Sequence, residues 1–506
     1  MADRPNILIL MADQLAARVL RPYGGAIART PHIDALADAG VVFDSFYCNS
    51  PLCAPSRFSF LAGQLPSKIG AYDNAAEYPA QVPTFAHYLR RAGYQTALAG
   101  KMHFCGADQL HGFEERLTTD IYPSDFGWTP DWSAFEQRPS WYHSMDSVIQ
   151  AGACTRTNQI DFDDEVVVAA RQKLFDLARS RDRRAFCLVV SMTHPHDPYV
   201  IPHAYWNRYR DEEIDLPRVA DLAGHEDAHS RRLRHVIGLD LATPTEKQVR
   251  AARRAYYGAV SYIDDQIGSL VATLKQAALD ANTVIVVLAD HGDMLGERGL
   301  WYKMNFYEAA ARVPLIVHAP GRFAARHVAA PASLLDLLPT LATLAYNGAS
   351  PAYAAPIDGA SLLPALEGHG EPSGEVIGEY LAEGAIAPIV MIRRGRHKFV
   401  HSPADPDQLY DLSADPDERI NLAMHADCAK VVADFRAEVA RRWALSELHE
   451  AVLASQRRRH FVYLALREGR FTPWDFQPMR DASRLYIRND QPLEEQEDRA
   501  RFPRQA

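Results

Sequence analysis

Three apolar runs, each ending in residues that can bind a metal or carry a proton, constrain this chain's fold more than any other feature. Asn6 to Met11 (NILILM) gives way to Ala12-Asp13. Phe186-Cys187-Leu188-Val189-Val190 leads into Ser191-Met192-Thr193-His194-Pro195-His196. Thr283 to Leu288 (TVIVVL) ends in Ala289-Asp290-His291-Gly292-Asp293, and a fourth run, Val313 to Val317, follows. Nearly continuous apolar runs of this length read as strands buried on both faces. Between them, Thr84 to Arg91, Glu165 to Ser180 and Glu246 to Lys275 have the apolar spacing of amphipathic helices. Strands alternating with helices predict an α/β fold: a large, mostly parallel or mixed sheet sandwiched by helices. Ligands bind such sheets beyond the carboxyl ends of the strands. Asp13, His194, His196, Asp290 and His291 are therefore expected along one edge.

The chain has 506 residues, 47 % of them hydrophobic, enough for that sheet and more. A shift in composition at Tyr346 to Ala355 marks a boundary. Beyond it, Ile389 to His401 has strand character, Asp415 to Glu418 reads as a turn, and Cys428 to Leu466 reads as a long helical region. The expected units are a catalytic α/β domain over 1–345, a subdomain with a small sheet and helix over 346–445, and an extension over 446–506. A net charge of −10 argues against a general nucleic-acid surface, and Arg457 to Arg459 read as a solvated helix face. No apolar run approaches the roughly 20 residues of a membrane span. The opening Met1 to Asn6 lacks the apolar segment of a signal peptide, and the six cysteines show neither disulfide nor zinc spacing. These features predict a cytoplasmic protein with no membrane association.

Several residues can carry chemistry. Cys53 stands in Ser50-Pro51-Leu52-Cys53-Ala54-Pro55-Ser56-Arg57, a Cys-x-Pro-x-Arg spacing. Its ordinary reading is a buried thiol before a helix. Asp13, Asp290 and His291 at strand ends suit a divalent cation such as Ca²⁺, Mg²⁺ or Mn²⁺, with Gln14 able to add a carbonyl oxygen. Alone, Asp13 is equally a helix cap, and Asp290 to Asp293 a tight turn. Lys101 and His103 lie two apart, so on an extended segment they face one side and suit a tetrahedral anion. His194 and His196 follow a buried strand and are expected to share a cleft. Lys303, just beyond the Asp290 loop, would add positive charge near that anion.

Taken in order, these motifs resemble the type I formylglycine sulfatases of the alkaline-phosphatase superfamily. The resemblance runs from Pro5 to about Leu422 through Asp13, Cys53 to Arg57, Gly100-Lys101, His194 to Tyr199, Asp290 to Asp293, Lys303, Arg312-Val313-Pro314 and Tyr410 to Leu422. Within that family the chain is most similar to the choline-sulfatase branch. The runs Tyr72 to Tyr78 (YDNAAEY), Asp108 to Pro123 (DQLHGFEERLTTDIYP), Leu295 to Trp301 (LGERGLW) and Pro473-Trp474-Asp475 carry that similarity.

The resemblance implies a mechanism. A formylglycine-generating enzyme oxidises Cys53, and the aldehyde hydrate is held against a divalent metal, Ca²⁺ first, by Asp13, Gln14, Asp290 and His291, with Arg57 steadying it. One hydroxyl attacks sulfur and the other later expels sulfate. Lys101, His103 and Lys303 stabilise the sulfuryl oxygens, and His196 or Lys303 protonates the departing alcohol. Substrate contacts are implied for Trp128, His143, Ser144, His194 and Glu383, with Glu494 of a neighbouring copy reaching in from the extension. A quaternary ammonium favours aromatic faces and a carboxylate, which Trp128, Trp132, Trp141, Tyr142 and Glu383 can supply. Ser144 and Glu494 depart from the Asn and Asp expected there, which bears on choline preference. The implied substrate is choline sulfate and the implied assembly a homodimer or homotetramer. Two alternatives share the motifs: a phosphonate monoester or phosphodiester hydrolase, and a choline-ester binding protein without turnover.

Overall fold

The computed structural model describes residues 4–220, 222, 226–479, 481, 486, 491–500, 502 and 503. Met1 to Asp3, the start of the segment read as lacking a leader, lie outside the described residues. The centre is an eight-stranded sheet in the order 326–328, 41–43, 315–318, 283–289, 6–12, 186–191, 95–100, 115–116. The Asn6–Ala12 strand lies at its heart, parallel to Phe186–Ser191 on one side and Thr283–Ala289 on the other. Gln95–Gly100 continues the parallel run. All three central strands are buried almost throughout, as their lack of polar alternation predicts. The fourth apolar run forms Leu315–His318, which pairs antiparallel with Thr283–Ala289, so the sheet is mixed.

Register places the chemistry. Ala12 pairs with Ala289, Met11 with Ser191, and Gly100 with Ser191. The next residues out, Asp13, Asp290 and Lys101, therefore emerge together at the carboxyl edge, as a parallel sheet requires. Helices Asn158–Arg179, Glu246–Gln276 and Pro31–Asp38 pack as one group, and Cys53–Ala62, Phe85–Arg91 and Leu337–Ala345 as another. Their starts are capped as their sequences dictate. Thr157 Oγ1 accepts the Ile160 amide at 3.1 Å, and Thr245 and Gln248 form a reciprocal capping box.

A second, four-stranded antiparallel sheet spans Glu375–Tyr380, Ile389–Arg394, His397–Ser402 and Asp405–Asp411. Its core of Val390, Ile392, Phe399 and Leu409 packs with Val432, Phe435 and Val439 of helix Ala429–Arg442. Two readings of the sequence need correction here. Ile389 to His401 is a hairpin instead of one strand, turned at Gly395 with φ of +56°. The helical region after Cys428 breaks at Trp443, whose indole donates to Glu379 Oε1 at 2.6 Å. A second helix, Leu445–Arg467, follows. Arg457 and Arg458 on it are exposed, but Arg459 is buried and paired with Asp73, so this stretch is not a uniformly solvated face. No described helix is long and apolar enough to cross a membrane.

Candidate active site

The site grows from the amino end of helix Cys53–Ala62, whose first residue is Cys53. The loop before it delivers Cys53 into the carboxyl edge of the sheet. Its sulfur lies 3.2 Å from His291 Nε2 and 3.9 Å from Asp13 Oδ1. One ligand atom from each of Asp13, Cys53, Asp290 and His291 falls within 4.8 Å of all the others, and all four residues are buried. His291 Nδ1 lies 3.0 Å from the Gly292 carbonyl, so the network assigns the proton there and leaves the Nε2 lone pair facing the cluster. Two carboxylates, one imidazole with a free lone pair and the group at position 53 fit a divalent cation that takes mainly oxygen ligands.

Arg57, one helical turn beyond Cys53, ties this cluster together. It donates from Nε to Asp290 Oδ2 at 2.8 Å, from Nη1 to the Lys101 carbonyl at 2.7 Å and to Ser191 Oγ at 2.8 Å, and pairs with Asp13. Burial would lower its pKa, but Asp290 and Asp13 more than offset that and hold the guanidinium charged. Gln14, in the left-handed region at φ of +65°, turns its side chain the other way. Its Oε1 accepts from Lys303 Nζ at 2.6 Å and its Nε2 donates to Asp293 Oδ2 at 2.7 Å.

Two buried lysines, Lys101 and Lys303, act on the group at position 53. Lys101 Nζ pairs with Asp13 and lies 4.3 Å from the centre of the Tyr122 ring. Burial raises the pKa of the Cys53 thiol, yet opposing interactions, led by the Lys101 and Lys303 charges, hold the group well below the usual thiol range. Negative charge at this position is therefore stabilised. His103 is not on an extended segment as expected: its strand ends at Gly100 and its φ is +63°. Both its ring nitrogens are buried without a hydrogen-bond partner among the described residues. Asp120 fixes that turn by accepting the amides of Met102 and His103, both at 2.9 Å.

His196 joins the pocket and His194 does not. His196 Nε2 lies 2.7 Å from Lys303 Nζ, and its Nδ1 lies 2.8 Å from the Asp197 carbonyl. The expectation of a shared cleft fails because His194 Nδ1 lies 2.7 Å from Asp163 Oδ2 and its ring packs on Tyr262. Asp163 sits on helix Asn158–Arg179, so His194 serves the strand–helix packing.

Aromatic side chains form the far wall. Tyr122 contacts His103, Trp128 and His196, with ring centres 5.2, 5.1 and 5.8 Å away. Trp128 stacks parallel to Trp141 at 6.3 Å, and Tyr142 meets Trp141 edge-on at 4.4 Å. His143 stacks on Tyr302 at 4.4 Å. Burial and the Lys303 charge push its pKa down to about 4, so the ring is neutral at pH 7. Trp132 is core packing, its indole donating to the Ala382 carbonyl at 3.0 Å.

Glu383 is buried, and its Oε2 has no hydrogen-bond partner among the described residues. Ser144 Oγ accepts the Asp146 amide at 3.2 Å, a local turn. Glu494 is exposed on helix Leu493–Ala500.

The sequence reading passed over three residues in this network. Tyr122 and Asp120 lie inside the Asp108 to Pro123 run, which offered a signal as a block without singling them out. Asp197 is held well below its usual range because His196, the hydrogen bond with His143, and Lys303 outweigh its burial. It connects His143 with His196, and its place beside the two histidines was the only clue.

Comparisons with known proteins agree with this geometry. Residues 5–348 match the family model described as Sulfatase, and residues 450–502 match the model described as choline sulfatase enzyme C terminal. The chain is 48 % identical to the choline-sulfatase of Rhizobium meliloti (strain 1021), over 99 % of both chains. It is 28 % identical to an arylsulfatase of Clostridium perfringens, over 83 % of this chain and 92 % of that one. Among solved structures, the phosphonate monoester hydrolase of Agrobacterium radiobacter superposes with a TM-score of 0.67 at 25 % identity, over 88 % of this chain and 96 % of that one.

Proposed function

The chain belongs to the sulfatase family and is a sulfuric ester hydrolase; from that premise we propose that it cleaves choline sulfate to choline and sulfate. The observation that carries this reading is Glu383: a buried carboxyl with an unpartnered oxygen, near enough to Cys53 and Lys303 to feel their charges. Tyr142 lies near enough to feel the Glu383 charge. A buried carboxylate together with the aromatic faces of Trp128 and Trp141 would suit a quaternary ammonium, and the ammonium groups of Lys101 and Lys303 would suit a sulfate. The 48 % identity to a choline-sulfatase supports the same substrate.

Asp13, Asp290, His291 and the group made from Cys53 would hold a divalent cation, with Ca²⁺ our first choice, and it would supply positive charge beside the nucleophile. Formylglycine made from Cys53 would supply, as its hydrate, a hydroxyl nucleophile for sulfur and a second hydroxyl able to release sulfate. Lys101, Lys303 and an N–H of the unpartnered His103 ring donate to the sulfuryl oxygens. The Lys303–His196 pair holds the proton for the departing choline oxygen, which needs one because an alkoxide leaves poorly. Trp128, His143 and Glu383 bind the trimethylammonium group. Maturation requires a formylglycine-generating enzyme.

We also propose the units 1–345, 346–445 and 446–506, a cytoplasmic location in keeping with the free cysteines, and an assembly of two or four copies. Phe461 and Leu464, 74 % and 63 % exposed on helix Leu445–Arg467, support the assembly, and Glu494 of a neighbouring copy would close the cation pocket. The test is sulfate release from choline sulfate by protein whose residue 53 is shown by mass spectrometry to be formylglycine. Cys53→Ala is expected to keep the fold and lose turnover; substantial remaining turnover would sink the nucleophile assignment.

A further inference from the structure

Helix Leu445–Arg467, which follows the Trp443 break, reaches the turn next to Cys53. Arg459 on Leu445–Arg467 is 7 % exposed and faces Asp73, which is fully buried. Its guanidinium makes two parallel bonds, Nη1 to Asp73 Oδ1 at 2.5 Å and Nη2 to Oδ2 at 2.6 Å, and Nη1 also reaches Thr129 Oγ1 at 3.2 Å. Asp73 in turn accepts the Ala75 amide at 3.0 Å, which closes a turn around Asn74. Asn74 Oδ1 accepts the amide of Ala54, again at 3.0 Å. Ala54 follows Cys53 in the first turn of its helix, where backbone N–H groups lack intrahelical partners. Polar contacts, joined through the backbone of the 73–75 turn, thus link residue 459 to the peptide unit beside Cys53. Thr129 is the neighbour of Trp128, so the same guanidinium also holds the aromatic wall. Buried ion pairs are expensive unless geometry is excellent, and this one is bidentate and flanked by further hydrogen bonds.

We propose that Arg459 is a positioning residue for sulfate-ester cleavage: through Asp73 and Asn74 it fixes the backbone at Cys53, and through Thr129 it fixes the loop carrying Trp128. The proposal rests on the reading of Cys53 as the nucleophile. A reacting group displaced by about 1 Å loses on the order of a hundredfold in rate, so a loosened cap at Ala54 should appear in kcat for any sulfate ester. A loosened Trp128 should appear in KM only for a substrate with a cation.

The experiment compares full-length wild type, Arg459→Gln, Arg459→Lys, Asn74→Ala and the exposed neighbour Arg458→Gln. Formylglycine occupancy and Tm are measured for each, and kcat and KM per modified site are measured for choline sulfate and an uncharged aryl sulfate. Arg459→Gln is expected to lower kcat about tenfold or more on both esters and to raise KM for choline sulfate alone. Arg459→Lys keeps the charge without the paired geometry and should recover only part of the loss. Asn74→Ala leaves the ion pair intact and should reproduce the kcat loss, which tests the route even where Arg459→Gln fails to fold. Arg458→Gln should match wild type. A purely structural role would lower Tm and leave kcat per modified site unchanged. Folded, modified Arg459→Gln or Asn74→Ala enzyme with kcat within about twofold of wild type on both esters would overturn the proposal. Wild type that turns over no faster than Cys53→Ala would overturn the nucleophile assignment, and this proposal with it.

Discussion

In the proposed reading, Glu383 is the residue on which substrate choice turns. Burial raises its carboxyl pKa to about 7, with Asp73 and Cys53 adding to the rise and Lys303 opposing it, and the Tyr380 hydroxyl donates to its backbone carbonyl at 2.7 Å. The sign follows directly. The ionised form, which attracts a quaternary ammonium, dominates above about pH 7, and protonation removes it below. KM for choline sulfate is therefore expected to rise as pH falls from about 8 to about 6, while KM for an uncharged aryl sulfate stays flat. Glu383→Gln should raise KM for choline sulfate about tenfold or more and abolish that pH dependence; an unchanged profile in the variant would show that another group sets it. Asp13, Asp290 and His291 were legible as neighbours because each ends an apolar run. Arg459 was not, because its partner Asp73 lies 386 positions away in sequence and nothing local separates it from solvated Arg457 and Arg458. His103 and Lys101 were legible as a pair, but the turn between them was not, since it depends on the Asp120 carboxylate.

At the scale of elements, the segment from Arg116 to Trp128 is held from outside the sheet. Trp474 packs edge-on against Phe126 at 5.3 Å, Asp475 Oδ1 accepts the Ser124 amide at 3.2 Å, and Arg116 lies 5.4 Å from the Phe476 ring centre. These residues belong to the extension, so removing the chain beyond about Phe471 loosens the aromatic wall as well as any assembly the extension builds. The truncated protein is expected to sediment as a smaller species and to show a raised KM for choline sulfate. A truncated protein with both properties unchanged would refute the role given to the extension. The helix break at Trp443 and the hairpin at Gly395 escaped the sequence reading for a common reason. Both are decided by tertiary partners, Glu379 for the indole and the small sheet's register for the turn, while the local patterns were continuous.

On the scale of the whole molecule, the parallel strands supply a buried floor of ion-paired carboxylates and Lys101, and loops from distant parts of the chain supply an aromatic wall and the buried carboxyl of Glu383. The floor suits any sulfate ester, and the 0.67 TM-score to a phosphonate monoester hydrolase shows how widely that architecture is shared. In the proposed function the wall makes the substrate specific, and the central claim rests on it. The most direct test is kcat/KM of formylglycine-confirmed enzyme for choline sulfate, beside an aryl sulfate and a phosphonate monoester. A preference for choline sulfate of about a hundredfold or more, roughly 2.7 kcal/mol of transition-state binding, is the expected result. A flat or phosphonate-biased profile would contradict the account and make Ser144 and Glu494 marks of a different substrate.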